Sequence, residues 1–168
     1  MPAPFAPSRP IHIVGVGSCL GAPIFGPASG PRALKNLGLE AHLRRLGIPA
    51  HWQALLEPSA PKPPHSPLNE RLGTVSALLH DLANTVAGVC EEGAIPLVLG
   101  GDHAIGAGTW RGVARALAPR GKLGLIWIDA HLDAHTPQTT HTGNIHGMPL
   151  AALLGIGDET LTGLPGPH

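Results

Sequence analysis

A chain of 168 residues with 43% hydrophobic content is long and apolar enough to bury the core of one domain, which excludes intrinsic disorder as its resting state. Eleven Lys and Arg offset eleven Asp and Glu, so charge supplies no footprint for a nucleic acid or an anionic membrane surface. No stretch approaches the ~20 apolar residues of a membrane span. The two cysteines, Cys19 and Cys90, support neither a disulfide framework nor a metal or redox spacing.

From the amino terminus, residues 1–10 are proline-rich without an apolar run, which predicts a flexible arm rather than a secretory signal. A soluble, cytoplasmic protein is expected. Short apolar runs at 11–16, 48–52, 95–99 and 123–128 each predict a strand. Three of them, the run at 48–52 being the weaker one, are nearly continuous in apolar character, as strands covered on both faces of a parallel sheet are. Between them, 31–46, 68–91 and 105–117 predict helices, the first with Leu34, Leu37, Leu43 and Leu46 near helical spacing. The order β-α-β-α-β-α-β predicts an α/β fold: a three-layer α/β/α sandwich with a parallel sheet and right-handed crossovers. The proline-rich stretch 57–67 reads as a loop within a single domain, 1–168. The stretch 148–154 could begin another helix, and 155–168 is a tail rich in Gly and Pro.

Two motifs fall where such sheets place their sites, beyond the carboxyl ends of strands. Gly100-Gly101-Asp102-His103 follows the run at 95–99, and its glycines permit a tight turn there. Asp129-Ala130-His131-Leu132-Asp133 follows the run at 123–128. In extended backbone alternate residues share a side, so Asp129, His131 and Asp133 would converge. Together with His103 they make an oxygen-and-nitrogen ligand set suited to manganese or a similar divalent ion. Two carboxylates at an apolar strand end also repel each other unless a cation joins them. A third stretch, 139–148, holds hydroxyls, an amide and two imidazoles, an inventory for hydrogen-bonding a polar substrate and equally for a Ser/Thr-type turn.

The combination of Gly-Gly-Asp-His, Asp-Ala-His-x-Asp and Gly143-Asn144-Ile145-His146-Gly147-Met148-Pro149 resembles the arginase branch of the ureohydrolases. Gly30-Pro31-Arg32-Ala33-Leu34, after the glycine-rich 15–30, looks like that family's entry into its first helix. The resemblance implies an arginase-like sheet of which only the amino-terminal strands are present. It implies a hydrolase with two manganese ions per site, in which a metal-activated hydroxide attacks the guanidinium carbon of L-arginine to give L-ornithine and urea. Carried over residue by residue, His103 would bind one ion and His131 the other, Asp129 would bridge them, and Asp133 would complete part of the shell of the ion that His103 binds. His146 would be the catalytic proton-transfer histidine. Thr142 and His135 would hold the substrate α-carboxylate, where relatives commonly use Ser and Asn, with Thr140 and Asn144 in more distant contacts. Relatives also use a later Asp-x-Asp motif for further ligands; after Asp133 this sequence has only the adjacent Asp158 and Glu159 as acidic residues. An agmatinase-like activity, and an inactive fragment that binds one metal, therefore stay open beside the arginase reading. A small guanidino substrate is the expected partner, and because relatives form trimers or hexamers, a homo-oligomer is a further expectation.

Overall fold

A computed structural model describes residues 9–59, 62–63 and 66–167. Most of the arm expected at 1–10 lies outside the described residues. The chain opens with β1 (Ile11–Val16), whose apolar run is buried along almost its whole length. After a short 3-10 turn come two helices, α1 (Gly30–Asn36) and α2 (Leu39–Arg45). The single helix expected over 31–46 is thus divided at Gly38, which takes the left-handed conformation at φ 79° and is the natural place for one helix to stop. Strand β2 (Ala50–Leu56) begins later and runs further than the weak apolar run suggested, and α3 (Leu68–Glu91) and β3 (Ile95–Gly100) follow. Next is α4 (Ile105–Leu117).

The three strands form a parallel sheet in the order β2-β1-β3. The chain leaves β1 toward one edge and returns across it to reach the other, so two right-handed crossovers must put their helices on opposite faces. Alternation along β1 agrees: Val14 and Val16 join the core against α3, whereas a side chain at Gly15 would meet Pro31 of α1 and Trp52. On α3, Leu72, Val75, Leu79, Leu82, Val86 and Val89 are buried at three- and four-residue spacings, each side chain contributing about 1.5–3 kcal/mol by leaving water. Helix α4 lies close against α3, because side chains at Gly108 and Gly112 would run into the backbone oxygens of Leu79 and Ala83.

The strand expected at 123–128 does not form. The segment has no regular secondary structure and pairs with no described strand, and a strand exists only where a neighbour takes its N–H and C=O groups. Its alternation survives: Leu125 and Trp127 are half-buried, while Ile126 and Ile128 are 85% and 94% exposed. Unpaired backbone beside exposed isoleucines is a template for association. Ile126→Lys should therefore reduce self-association, read by light scattering, while shifting stability by no more than about 0.5 kcal/mol; a wild-type chain already monodisperse at high concentration would refute this.

The helix start expected at 148–154 is present as α5 (Pro149–Leu153), and the tail beyond it is more ordered than its composition suggests, adding one turn, α6 (Glu159–Thr162). Leu161 and Leu164 are buried in the core, and the Asp158 carboxylate caps α6 by accepting the Thr160 N–H. No described helix is long and apolar enough to cross a membrane.

Candidate metal centre

The order β2-β1-β3 makes the boundary between β1 and β3 the point where the chain's direction of travel reverses, and loops diverging there open a crevice. The loop after β1 and the loop after β3 are bound to each other. Gly101 donates its N–H to Val16 O at 3.0 Å, and Asp102 donates its N–H to Ser18 O at 3.0 Å. The Asp102 carboxylate is buried, accepting from Gly21 N–H and Ala104 N–H at 2.9 Å each. Burial pushes its pKa up and outweighs the two amides and the nearby His146 and His103, which act to lower it. Within the Gly-Gly-Asp-His motif, the work of Asp102 is to fasten the Gly-rich loop to the start of α4.

Beyond that joint His103 meets the second motif. Its Nδ1 lies 2.6 Å from Asp133 Oδ2 and 3.0 Å from Asp129 Oδ2. One nitrogen and two carboxylate oxygens from these residues fall within 4.8 Å of one another, a grouping that could hold a metal ion. The Trp127 ring stacks on His103, centroids 4.8 Å apart and planes 27° from parallel, which restrains the imidazole from behind. This donor set of two carboxylates and an imidazole suits a hard to borderline divalent cation.

His131 stands differently. It is outside that three-residue group, its side chain is 81% exposed, and its Nδ1 sits 3.4 Å from Asp129 Oδ1. The expected convergence of Asp129, His131 and Asp133 by simple strand alternation is not what brings the ligands together. Asp133 has φ 52°, the left-handed region that short polar side chains tolerate best after glycine, and the turn aims its carboxylate at His103. The Asp129 carboxyl is held below the ordinary carboxylate range, first by the His131 N–H it accepts at 2.8 Å and further by the two histidine rings.

The remaining expected residues line the same cleft of about 650 Å³ as these four. His135, Thr140 and Thr142 occupy one wall with Asn144 and His146. Their loop is largely self-supporting. Thr140 Oγ1 accepts Gly143 N–H at 3.1 Å, Thr142 Oγ1 accepts Asn144 N–H at 3.2 Å, and His135 Nδ1 lies 3.3 Å from Thr139 Oγ1. Each threonine oxygen thus accepts an N–H of the turn, and with Thr140 Oγ1 and Thr142 Oγ1 3.5 Å apart, one O–H can bridge them while the other is left for a ligand.

Sequence reasoning missed what holds this wall in place. Arg71, buried on α3, donates to Ser66 O at 3.0 Å, Leu20 O at 2.9 Å and Gly143 O at 2.7 Å. His146 donates its N–H to Gly21 O at 3.1 Å, and Leu150 at the start of α5 donates its N–H to Asp133 O at 2.9 Å. An arginine inside an otherwise apolar helical stripe was the available signal, since a buried guanidinium has to find acceptors.

The family model described as Arginase family matches residues 9–162. The chain is 40% identical to the arginase of Bacillus caldovelox over 161 residues, covering 94% of this chain and 53% of that protein. It is 39% identical to human arginase-1 over 151 residues, covering 89% and 46%. Among solved structures, arginase from Entamoeba histolytica in complex with L-ornithine superposes with a TM-score of 0.82 at 32% identity, covering 95% of this chain and 54% of the other. The chain spans about half the length of the curated relatives it matches. With a matching family model over nearly all its described residues and a shared parallel α/β architecture, this chain belongs to the arginase family, a family of hydrolases.

Proposed function

We propose that the cleft serves the manganese-dependent hydrolysis of L-arginine to L-ornithine and urea, in a cytoplasmic enzyme. The observation that carries the reading is the position of one carboxylate between two imidazoles: Asp129 turns Oδ2 toward His103 and Oδ1 toward His131. A carboxylate so placed suits a bridge between two cations, with His103 and Asp133 serving one and His131 the other. When bound, such ions supply the activation of water as a nucleophile at neutral pH. The rest falls to side chains of this chain. The depressed Asp129 keeps its charge and so remains a ligand into mildly acidic solution. His146 carries an imidazole into the cleft on a backbone pinned to Gly21, positioned to hold or pass a proton at a ring nitrogen. Thr142 and His135 offer an O–H and an N–H to an α-carboxylate, with Thr140 and Asn144 behind them.

Binding of manganese to the purified chain, followed by electron paramagnetic resonance, tests the metal half of the reading. Asp129→Asn should weaken it by at least ~100-fold, since it removes the ligand shared by both positions. Urea release from L-arginine and from agmatine, compared in parallel, tests the chemistry: arginine should be the better substrate, and His146→Ala should lower kcat by about 10²-fold or more. Manganese binding indifferent to Asp129 would overturn the proposal, and a preference for agmatine would move the substrate assignment.

A further inference from the structure

At the amino-terminal edge of the sheet, the end away from the cleft, His12 lies beside His51 and Glu92, although their ligand atoms are not gathered as closely as those of His103, Asp129 and Asp133. His12 of β1 and His51 of β2 are register partners on adjacent parallel strands, so their side chains leave the sheet on one face. That face is the one α3 covers, since Val14 and Val16 follow His12 by alternation. The two rings lie 3.9 Å apart between centroids, with 54° between their planes. Where α3 ends, Glu92 places its Oε2 3.4 Å from His12 Nδ1. The register of β2 shifts between the partners of Ile13 and Val14, leaving Gln53 as an extra residue, and its Oε1 lies 3.1 Å from His51 Nε2. Bulges of this kind re-aim a side chain.

His12 is 8% exposed, and its enclosed Nδ1 makes no hydrogen bond among the described residues. A gap of 3.4 Å to a carboxylate oxygen is long for an N–H···O bond, which is usually about 2.7–3.2 Å. It is, however, the separation expected of two ligands each about 2.0–2.1 Å from one tetrahedral zinc ion. Burial and the neighbouring His51 push the His12 pKa down, against the pull of Glu92, so the ring is neutral at physiological pH and has a lone pair to give.

We propose that His12, His51 and Glu92 form a second divalent-metal site, for zinc-class rather than manganese-class ions, which ties β1, β2 and the end of α3 together. Two imidazoles to one carboxylate is a nitrogen-rich set, the reverse of the balance in the cleft, and this is the preference it carries. Completing the set requires the His51 ring to turn from Gln53 and the Glu92 carboxylate to swing. The Glu92 side chain is 57% exposed and His51 is half-buried, so neither movement disturbs the core.

The test uses the full chain, free of any polyhistidine tag, carrying Asp129→Asn, Asp133→Asn, His103→Ala and His131→Ala, which removes all four expected ligands from the cleft. Calorimetric titration with zinc should give one saturable equivalent and a rise in Tm, whereas manganese should give neither. Cobalt(II) at the same site should show the intense visible bands of a four-coordinate ion. Because His12→Ala opens a hole in the buried sheet and risks misfolding, the decisive variants are at the surface: His51→Ala and Glu92→Gln should each lower zinc affinity at least tenfold. No saturable zinc binding, or binding that both variants leave unchanged because it resides on other histidines, overturns the proposal.

Discussion

Gly101→Ala is expected to destabilise the chain by more than about 4 kcal/mol, enough to leave a marginally stable domain largely unfolded. A Cβ built on Gly101 would stand 1.7 Å from Ser18 O, 2.7 Å from Ser18 C and 3.2 Å from Ser18 N. These are backbone atoms, so no side-chain rotation relieves the clash. The loops after β1 and β3 would have to part by more than an ångström. That movement breaks the hydrogen bonds that Gly101 N–H donates to Val16 O and Asp102 N–H to Ser18 O, and uncouples Gly21 from the buried Asp102 carboxylate. A buried carboxylate that loses a donor is costly in its own right. Gly124→Ala is the matched control, since a Cβ there meets nothing within 4 Å, and it should be near neutral. Urea unfolding followed by circular dichroism measures both; a Gly101→Ala chain within about 1 kcal/mol of wild type would show that the two loops are not locked together.

Arg111→Met should cost about 2–4 kcal/mol and release the tail. Arg111 is 1% exposed within α4, yet it carries a guanidinium. Burial pushes its pKa down from the ordinary arginine value, though an arginine starts so high that it stays charged. Its donors reach Ala152 O of α5 at 2.9 Å and two carbonyls of the tail, Gly166 O at 3.0 Å and Thr162 O at 3.3 Å. Hydrogen bonds from a charged donor are worth about 1.5–3 kcal/mol each, and methionine, by removing a buried charge, returns part of that sum. Arg111→Lys keeps the charge but loses the planar fork that serves several acceptors at once, and should fall between the two. Thermolysin is the sensitive probe, because freeing 155–167 exposes Leu161 and Leu164. A second consequence reaches the cleft: α5, which Arg111 anchors through Ala152, donates Leu150 N–H to Asp133. Metal affinity should weaken with the tail, and an Arg111→Met chain with a protected tail would show that Arg111 is not its anchor.

Much of this was legible without coordinates, and the legible parts share a cause. The strands at 11–16 and 95–100 and the helices at 68–91 and 105–117 are long or apolar enough for local periodicity to decide them. His103, Asp129 and Asp133 were readable because a carboxylate pair at a strand end repels itself unless a cation joins it, and an imidazole beside the pair completes a ligand set. The misread elements depended on neighbours. The run at 123–128 has the composition of a strand, but a strand is a relation between two segments, and no described segment lies beside it to take its hydrogen bonds.

By itself the sequence determined the α/β class, the parallel sheet, the family resemblance and the ligand set of His103, Asp129, His131 and Asp133, which follow from local pattern and side-chain chemistry; His135, Thr140, Thr142, Asn144 and His146 were named only through the resemblance. Only the tertiary structure decided how those residues are held: the left-handed turn at Asp133, the contact of Gly101 with Ser18, and the long reaches of Arg71 to Gly143 and of Arg111 to the tail. Likewise the meeting of His12, His51 and Glu92 has no spacing in the chain to announce it. The physical reason is that a close approach or a buried charge is settled by whichever distant backbone arrives opposite it, and no periodicity along the chain encodes that arrival.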